Sequence, residues 1–230
     1  MVKLTSGLEL AILRGVDPMS GASRNPGSAT PVFSTPVVSV NLPDAEDLNA
    51  ELSAAILMRA RGCSGLVRSN VGGWHSEQDL LNWPETCIAR LRSELEAHAR
   101  DLLQLSITEA GYGESHSLTL VAWANVIEDG GYHSVHDHPA AHWSGVYYVA
   151  TGRPADGHPL NGRLELLDPR TGINMVPLPN SAFATRCIID PEPGRMLFFP
   201  SWLKHVVHPF RGTGERISIS YNMTITLDQA

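Results

Sequence analysis

The sequence predicts a mainly β domain flanked by N-terminal helices, and three observations support this fold class. Two segments in the first half of the chain place apolar residues at helical spacing. From Ser117 onward, short runs of β-branched and aromatic residues alternate with Gly, Pro, Asp and Asn turns. At 230 residues the chain is long enough for one domain with a substantial core. We therefore predict a double-stranded β-helix (a jelly-roll or cupin-like barrel) backed by N-terminal helices.

The N-terminal segment is predicted to lie outside this domain. Residues 15–31 are rich in Gly, Ser, Pro and Asn and have no periodic apolar face. We expect a mobile arm over residues 1–31 and a single domain over residues 32–230. The first strand of that domain is predicted at Val37–Val40.

Two helices are predicted next, and together they form a helical layer over about residues 44–108. The first should span about 45–60, with Asp44 as its cap. The second should span about 84–105, where Pro84 suits a first turn. Apolar residues recur along one stripe of each helix.

The β-barrel is predicted over about residues 117–226. Turn residues divide this region into eight short strands. We expect the strands at 118–127, 132–138, 144–150, 162–167, 184–189, 195–200, 205–208 and 215–226.

Composition restricts the classes of partner. The net charge of −7 and scattered basic residues argue against nucleic acid. No apolar stretch approaches the roughly 20 residues of a membrane helix, and Met1–Leu13 lacks the pattern of a secretory signal. Three widely spaced cysteines are typical of reduced thiols. We expect a cytoplasmic protein without nucleic-acid or membrane partners.

Three histidines have the spacing of a metal site. His136 and His138 stand two residues apart, so on an extended strand their imidazoles share a face. His205 follows an apolar run that ends at Pro200. Two ligands on one strand and a third on a distant strand are typical of a barrel that binds a metal ion with open positions. Asp137 is the alternative third ligand, although strand alternation favours His138.

Two other metal-binding classes were compared with this pattern. A hydrolytic zinc site is suggested by the histidine-rich run at 133–138, but its spacing does not match those hydrolases. A simple cupin is the stronger alternative, because Gly130 and Gly194 precede the histidines at cupin spacing. The glutamate that cupins place after the second histidine is missing, since His142 and Trp143 occupy those positions.

Arg216 favours an oxygenase over a simple cupin. Arginine offers a planar, two-pronged set of donors that suits the far carboxylate of a dicarboxylate co-substrate. Arg216 follows the distal histidine and precedes Ser218 on a predicted strand. Alternation divides that strand into a polar face (Arg216, Ser218, Ser220, Asn222) and an apolar face (Ile217, Ile219, Tyr221, Met223).

Several blocks in order resemble the iron(II)/2-oxoglutarate oxygenases of the bacterial and phage type, which are related to prolyl hydroxylases. These blocks extend over nearly the whole chain, from about residue 32 to 226. They are SNVGGWHS (69–76), WAN (123–125), HDHP (136–139), SGVYYV (144–149), LDPR (167–170), FPSWLKH (199–205) and RISISYN (216–222).

The resemblance implies Fe(II), 2-oxoglutarate and O2 as cofactors, and His136, His138 and His205 as the metal-binding and catalytic residues. It implies that Arg216 and Ser218 bind the distal carboxylate of 2-oxoglutarate. The remaining cofactor-binding or site-lining residues that it implies are Tyr148, Asn125 and Tyr132.

The implied reaction is hydroxylation of an unactivated C–H bond in a small molecule or peptide side chain, with release of succinate and CO2. The alternative is a cupin-like metal-binding protein: an isomerase, a dioxygenase without a co-substrate, or a non-catalytic module. A homodimer through the helical layer is compatible with the sequence. Trp74 and His75 follow a predicted turn at Gly72-Gly73 and are expected to line the substrate entrance. The alternative is that Trp74 packs the helical layer against the sheet.

Overall fold

The fold is described from a computed structural model, in which the described residues are 9–10, 34–106, 116–170 and 186–227. The arm predicted over residues 1–31 lies outside these ranges, except that Glu9–Leu10 pairs with the strand at Val38–Asn41. The mobility of the arm and the boundary of the domain stay predictions.

Helix α1 spans Ala45–Gly62, as predicted, but Asp44 does not cap it through its side chain. The backbone of Asp44 is left-handed, with φ of 50°, and its carboxylate makes no hydrogen bond to the helix. Glu46 and Asp47 lie in the first turn instead, where negative charge interacts favourably with the helix dipole.

Helix α2 spans Thr86–Ser106 and follows a 3-10 turn at Leu80–Asn82. Its buried stripe confirms the predicted spacing and contains Ile88, Leu91, Leu95 and Leu102. Neither helix in the described part of the chain combines the length and the apolarity needed to cross a membrane.

Ten strands lie within the described residues, and all their pairings are antiparallel. Their bounds are β1 Glu9–Leu10, β2 Val38–Asn41, β3 Asn70–His75, β4 His116–His136, β5 Trp143–Pro154, β6 Leu164–Leu167, β7 Arg186–Ile189, β8 Arg195–Pro200, β9 His205–Val207 and β10 Gly212–Leu227.

The strands form one curled sheet in the order β1-β2-β8-β5-β10-β4-β9-β6-β7, and β3 pairs with β4 beside this path. Strand β4 joins the two halves of the sheet. Its residues 116–127 pair with β10, residues between 125 and 133 pair with β3, and His133 and His136 pair with β9. This curled antiparallel sheet with two flanking helices confirms the predicted double-stranded β-helix.

Two strand predictions needed correction, and glycine explains both. Strand β4 is continuous where two strands had been predicted, because Gly130, with φ of 86°, lets the strand bend without ending. Strand β3 was not predicted, because Gly72-Gly73 was interpreted as a turn. A Cβ at Gly73 would lie 2.7 Å from the carbonyl oxygen of Val126, so glycine allows β3 to approach β4 closely.

Two apolar cores lie on opposite faces of β10. One packs the helices against the sheet, and the apolar residues of β10 belong to it: Ile217, Ile219, Tyr221 and Met223. The other core lies inside the barrel and includes Tyr148, Phe199 and Phe210. The polar face of β10 is directed into the barrel, where Arg216, Ser218 and Ser220 line a cavity. The alternation predicted for this strand is confirmed.

Candidate active site

Three histidine side chains converge where β4 pairs with β9. His136 is the last residue of β4 and lies opposite His205, the first residue of β9, so the strand register itself joins these distant residues. His138 lies two residues beyond the end of β4 rather than on the predicted strand. One side-chain nitrogen from each ring lies within 4.8 Å of the other two, and Asp137 does not belong to this cluster. Three facing nitrogen donors suit a divalent metal ion.

Backbone carbonyls orient two of the three rings. The Nδ1 of His136 donates to the carbonyl of Ser134 over 2.7 Å, and the Nδ1 of His205 donates to that of Leu203 over 2.9 Å. A carbonyl oxygen can only accept, so Nδ1 carries the proton in both rings and Nε2 keeps its lone pair for a metal. His138 makes no such side-chain hydrogen bond within the described residues.

Burial keeps the three imidazoles neutral. Loss of hydration is the main cause that lowers the pKa of His138 to about 4 and that of His205 to about 3, and it also lowers the pKa of His136. The charge that neighbouring histidines would carry lowers the first two values further. Because a metal ion binds the neutral ring, the cluster is prepared for ligation at neutral pH.

A buried arginine occupies the other part of the same cavity. Arg216 is 2% exposed, and its Nε donates to the carbonyl of Gly162 over 3.1 Å. One terminal nitrogen lies 3.4 Å from Oγ of Ser218. No acidic side chain in the described ranges pairs with this guanidinium. An uncompensated buried charge costs several kcal/mol, and a bound carboxylate would remove that cost.

Two further polar groups near Arg216 are buried without a partner among the described residues: the hydroxyl of Tyr148 and Oδ1 of Asn125. The Tyr148 ring lies 5.4 Å from the guanidinium carbon of Arg216. The amide nitrogen of Asn125 donates to Oγ of Ser220 over 3.0 Å. Buried polar groups are nearly always hydrogen-bonded, so these atoms mark a place for a polar ligand.

The structure places His133, rather than Tyr132, in the cavity wall. Tyr132 lies opposite Val71 of β3. Simple alternation from His136 would put residue 132 on the cavity face, but a register shift between His133 and His136 exchanges the two faces. His133 is 6% exposed, and burial together with the charge of Arg216 lowers its pKa to about 3. His133 was not predicted as a site residue, because a bulge leaves no clear pattern in the residues.

Of the two residues after Gly72-Gly73, Trp74 packs against the helical core. Its indole nitrogen donates to the carbonyl of Cys63 over 3.0 Å. His75 is 5% exposed, and its ring stacks on Trp123 at a centroid distance of 5.7 Å. These contacts agree with a packing role for Trp74. His75, which was expected at the substrate entrance, thus contacts Trp123, and the Trp123 ring lies 5.6 Å from that of His138.

Residues 121–222 match the model of a family described as "Putative 2OG-Fe(II) oxygenase". This segment contains the whole histidine cluster and Arg216. Over this segment the chain is similar to the 2OG-Fe(II) oxygenases, oxidoreductases that use Fe(II), 2-oxoglutarate and O2. A search of curated proteins finds no significant match.

Solved structures share the fold at low sequence identity. A prolyl-4-hydroxylase from Pseudomonas putida is 17% identical, with 82% of this chain and 91% of that chain covered and a TM-score of 0.54. A Trichoplax adhaerens prolyl hydroxylase, solved with a hypoxia-inducible-factor peptide fragment, is 14% identical, with 82% and 83% covered and a TM-score of 0.54. HygX from Streptomyces hygroscopicus, solved with nickel, 2-oxoglutarate and hygromycin B, is 12% identical, with 82% of each chain covered and a TM-score of 0.56.

The residues of this chain fit both the iron(II) ion and the 2-oxoglutarate that the family uses. Three neutral imidazole nitrogens suit iron(II). The unpaired guanidinium of Arg216 and the unpaired hydroxyl of Tyr148 suit the carboxylate of a dicarboxylic acid. Both sets line one cavity, as a co-substrate that contacts metal and arginine requires.

Proposed function

We propose that this protein is an Fe(II)- and 2-oxoglutarate-dependent oxygenase that hydroxylates an unactivated C–H bond. The observation that carries the proposal is the buried, unpaired guanidinium of Arg216 in the same cavity as the histidine cluster. A binding module has no use for a buried cation without a counter-ion, whereas a dicarboxylate co-substrate supplies one.

In this proposal His136 and His205 hold the metal through Nε2, and His138 holds it through a ring nitrogen. Arg216, with Ser218, binds the co-substrate carboxylate remote from the metal, and the Tyr148 hydroxyl donates to the same group. When bound, Fe(II) with 2-oxoglutarate and O2 supplies the oxidising power, and succinate and CO2 are the co-products.

The apolar lining of the cavity favours binding of the co-substrate carboxylate by Arg216. Val146, Leu164 and Phe199 surround the space between the histidines and Arg216 and exclude water from it. In such an environment the attraction between guanidinium and carboxylate is stronger than in water. The side chain of His133, held neutral by burial, completes the wall without adding charge.

The proposed substrate is a small molecule or a peptide side chain. The Trichoplax enzyme was solved with a peptide fragment and HygX with hygromycin B, so this fold accommodates both kinds of partner. His136 and His138 are half-buried whereas His205 is 5% exposed, so we propose that substrate reaches the metal from the side of the first two histidines.

The cytoplasmic location and the homodimer through the helical layer belong to this proposal as expectations from the sequence. Light scattering of the purified protein tests the dimer, which predicts twice the mass of the 25.0 kDa chain.

The test is an anaerobic titration of the iron(II)-loaded protein with 2-oxoglutarate, followed by the visible charge-transfer band of the chelate. The wild-type protein should give a saturable band, and His205→Ala should give none because the metal is lost. Arg216→Met should weaken 2-oxoglutarate binding by about 100-fold or more, since charge-assisted hydrogen bonds are lost. The affinity of Arg216→Lys for 2-oxoglutarate should lie between those of the wild-type protein and Arg216→Met, because lysine keeps the charge without the planar fork.

Arg92→Met is the matched control, since Arg92 lies on the exposed surface of α2 and pairs with Glu96. It should bind 2-oxoglutarate as the wild-type protein does. Absence of the band in protein with iron demonstrably bound, or equal binding by Arg216→Met, would support the cupin-like alternative instead.

A further inference from the structure

We infer that Trp123 is a positioning residue for the metal centre, because its indole ring orients the imidazole of His138. The inference rests on the proposed binding of a metal ion by the three histidines. It adds a role for a residue that contacts no ligand in the proposal.

The three histidines are not held in the same way. His136 and His205 each donate from Nδ1 to a backbone carbonyl two residues earlier in the chain. Such a bond fixes both the tautomer and the rotation of the ring. His138 has no hydrogen bond from either ring nitrogen within the described ranges. It also lies beyond the end of β4, where backbone hydrogen bonds to Ser201 and from Ala141 hold its main chain but do not fix the rotation of its ring.

Aromatic contact replaces that hydrogen bond. The ring centroids of Trp123 and His138 are 5.6 Å apart, with 47° between the planes. These values lie in the range of favourable aromatic pairs. Trp123 is also stacked by His75 at 5.7 Å and 13°. The rings of His75, Trp123 and His138 thus form a series of contacts, which we call the ring stack, and the ring of His138 also contacts those of His136 at 5.1 Å and His205 at 5.2 Å.

The stack is anchored at the end opposite His138. Nδ1 of His75 donates to the carbonyl of Ser76 over 2.6 Å. Ser76 is in turn bound to β4 twice, because its backbone N–H donates to the carbonyl of Ala124 and its hydroxyl accepts from the Ala124 N–H, each over 2.9 Å. These bonds hold the ring of His75, on which Trp123 stacks, at the end of β3.

The direction of Trp123 is also set by the sheet. It lies on β4 opposite Ser220 of β10, so both side chains are directed into the barrel. Trp123 is 4% exposed, so its ring is buried as well as in contact with His75 and His138. Such a ring can orient the His138 imidazole, because the other two rings that contact His138, those of His136 and His205, are themselves proposed metal ligands.

The test is a calorimetric titration with Co(II) alone, at neutral pH and without co-substrate. Trp123→Leu should weaken Co(II) binding by about 10- to 100-fold, the usual cost of losing a group that supports a metal ligand. Trp123→Phe keeps an aromatic face towards His138 and should lose less. If Trp123→Leu does not fold, His75→Leu removes the ring that supports the stack and should weaken Co(II) binding in the same direction.

Trp143→Leu is the matched control, because Trp143 is also buried (7% exposed) but packs in the helical core. It should bind Co(II) as the wild-type protein does, even if it unfolds at a lower temperature. The double variant Trp123→Leu/His138→Ala should bind no more weakly than His138→Ala, because Trp123 acts through His138.

Two outcomes would overturn the inference: wild-type affinity in both Trp123→Leu and His75→Leu, or equal losses in Trp123→Leu and Trp143→Leu. Failure of the wild-type protein to bind Co(II) would instead refute the proposed metal site itself. The titration therefore separates the two claims.

Discussion

At the scale of single residues, two adjacent tyrosines have opposite surroundings and therefore opposite expected roles. The hydroxyl of Tyr148 lies in the barrel with no hydrogen-bond partner among the described residues. The hydroxyl of Tyr147 lies in the helical core and donates to Oδ1 of Asn49 over 2.7 Å. Burial raises the pKa of both phenols to about 12, so both act as neutral donors.

Tyr148→Phe should weaken 2-oxoglutarate binding by about 10- to 100-fold, the cost of one hydrogen bond to a charged group. The ligand-free variant should be at least as stable as the wild-type protein, because an unpaired buried hydroxyl is removed. Titration of the iron(II) protein measures the first effect, and urea unfolding measures the second.

Tyr147→Phe provides the control, with the opposite pattern. It should lower the free energy of unfolding by about 1–2 kcal/mol, because it leaves the buried Asn49 carbonyl unpaired, and should bind 2-oxoglutarate normally. If Tyr147→Phe rather than Tyr148→Phe impaired co-substrate binding, the assignment of the two faces of β5 would be wrong.

The identity of the third metal ligand gives a second prediction at this scale. His138→Ala should weaken Co(II) binding by at least about 100-fold, whereas Asp137→Asn should change it by less than about 10-fold. The physical reason is that a nitrogen of His138, and no oxygen of Asp137, belongs to the cluster. The opposite order in a calorimetric titration would restore the usual two-histidine, one-carboxylate site.

Much of the cavity was predictable from side-chain chemistry and spacing. His136, His138 and His205 were selected because imidazoles at this spacing suit a metal, and Arg216 because a dicarboxylate needs a cation. His133 could not be selected, because its direction depends on a bulge that only strand pairing defines. The contact between His75 and Trp123 could not be predicted either, since the two residues lie on different strands, β3 and β4.

At the scale of elements, one buried carboxylate joins three strands of the sheet. Glu165 on β6 is 4% exposed and accepts two hydrogen bonds from Arg186 at the start of β7, over 2.5 and 2.6 Å. Nε2 of His208, just after β9, donates to the same carboxylate over 2.7 Å. Mainly through the hydrogen bonds from Arg186, the pKa of Glu165 falls to about 2.

Glu165→Gln should lower the free energy of unfolding by about 1–3 kcal/mol at pH 7. Because the folded-state pKa is depressed, the stabilisation is complete above about pH 4.5 and is lost as the pH falls towards about 2. The difference between the two proteins in urea unfolding should therefore shrink below pH 4.5. A difference that stays constant down to pH 3 would contradict the role of the charge.

Glu96→Gln is the control for this change, because Glu96 pairs with Arg92 on the exposed face of α2. Exposed pairs contribute little, so the free energy of unfolding should change by no more than about 0.5 kcal/mol. A loss equal to that of Glu165→Gln would mean that the amide itself, rather than the buried ion pair, is responsible.

The elements could be predicted where periodicity is strong. Helices α1 and α2 and most strands lie close to their predicted positions. Strand β3 was missed because its two glycines are typical of turns, and their compatibility with a strand depends on the close approach of β4. The prediction that Asp44 caps α1 was wrong, because residue type does not determine the backbone conformation of a cap.

At the scale of the whole molecule, a metal ion would join parts of the chain that are far apart in sequence. A ligand that binds only the folded state raises the free energy of unfolding, by about 2.7 kcal/mol at 100 times its dissociation constant. Ni(II) should therefore raise the melting temperature of the wild-type protein but not that of His205→Ala. An equal rise in both proteins would indicate binding outside the histidine cluster.

The pairing of β10 with both β4 and β5 has a consequence for the order of folding. Strand β10 lies last among the described strands, yet it is the central neighbour of two strands that come much earlier. Such long-range pairing is slow, because a large loop must close before the contacts form. During synthesis, the sides of β4 and β5 that pair with β10 stay unpaired until β10 has been made. Iron capture is thus expected to follow synthesis of β10, and truncation before β10 should produce an aggregating product rather than a weaker enzyme.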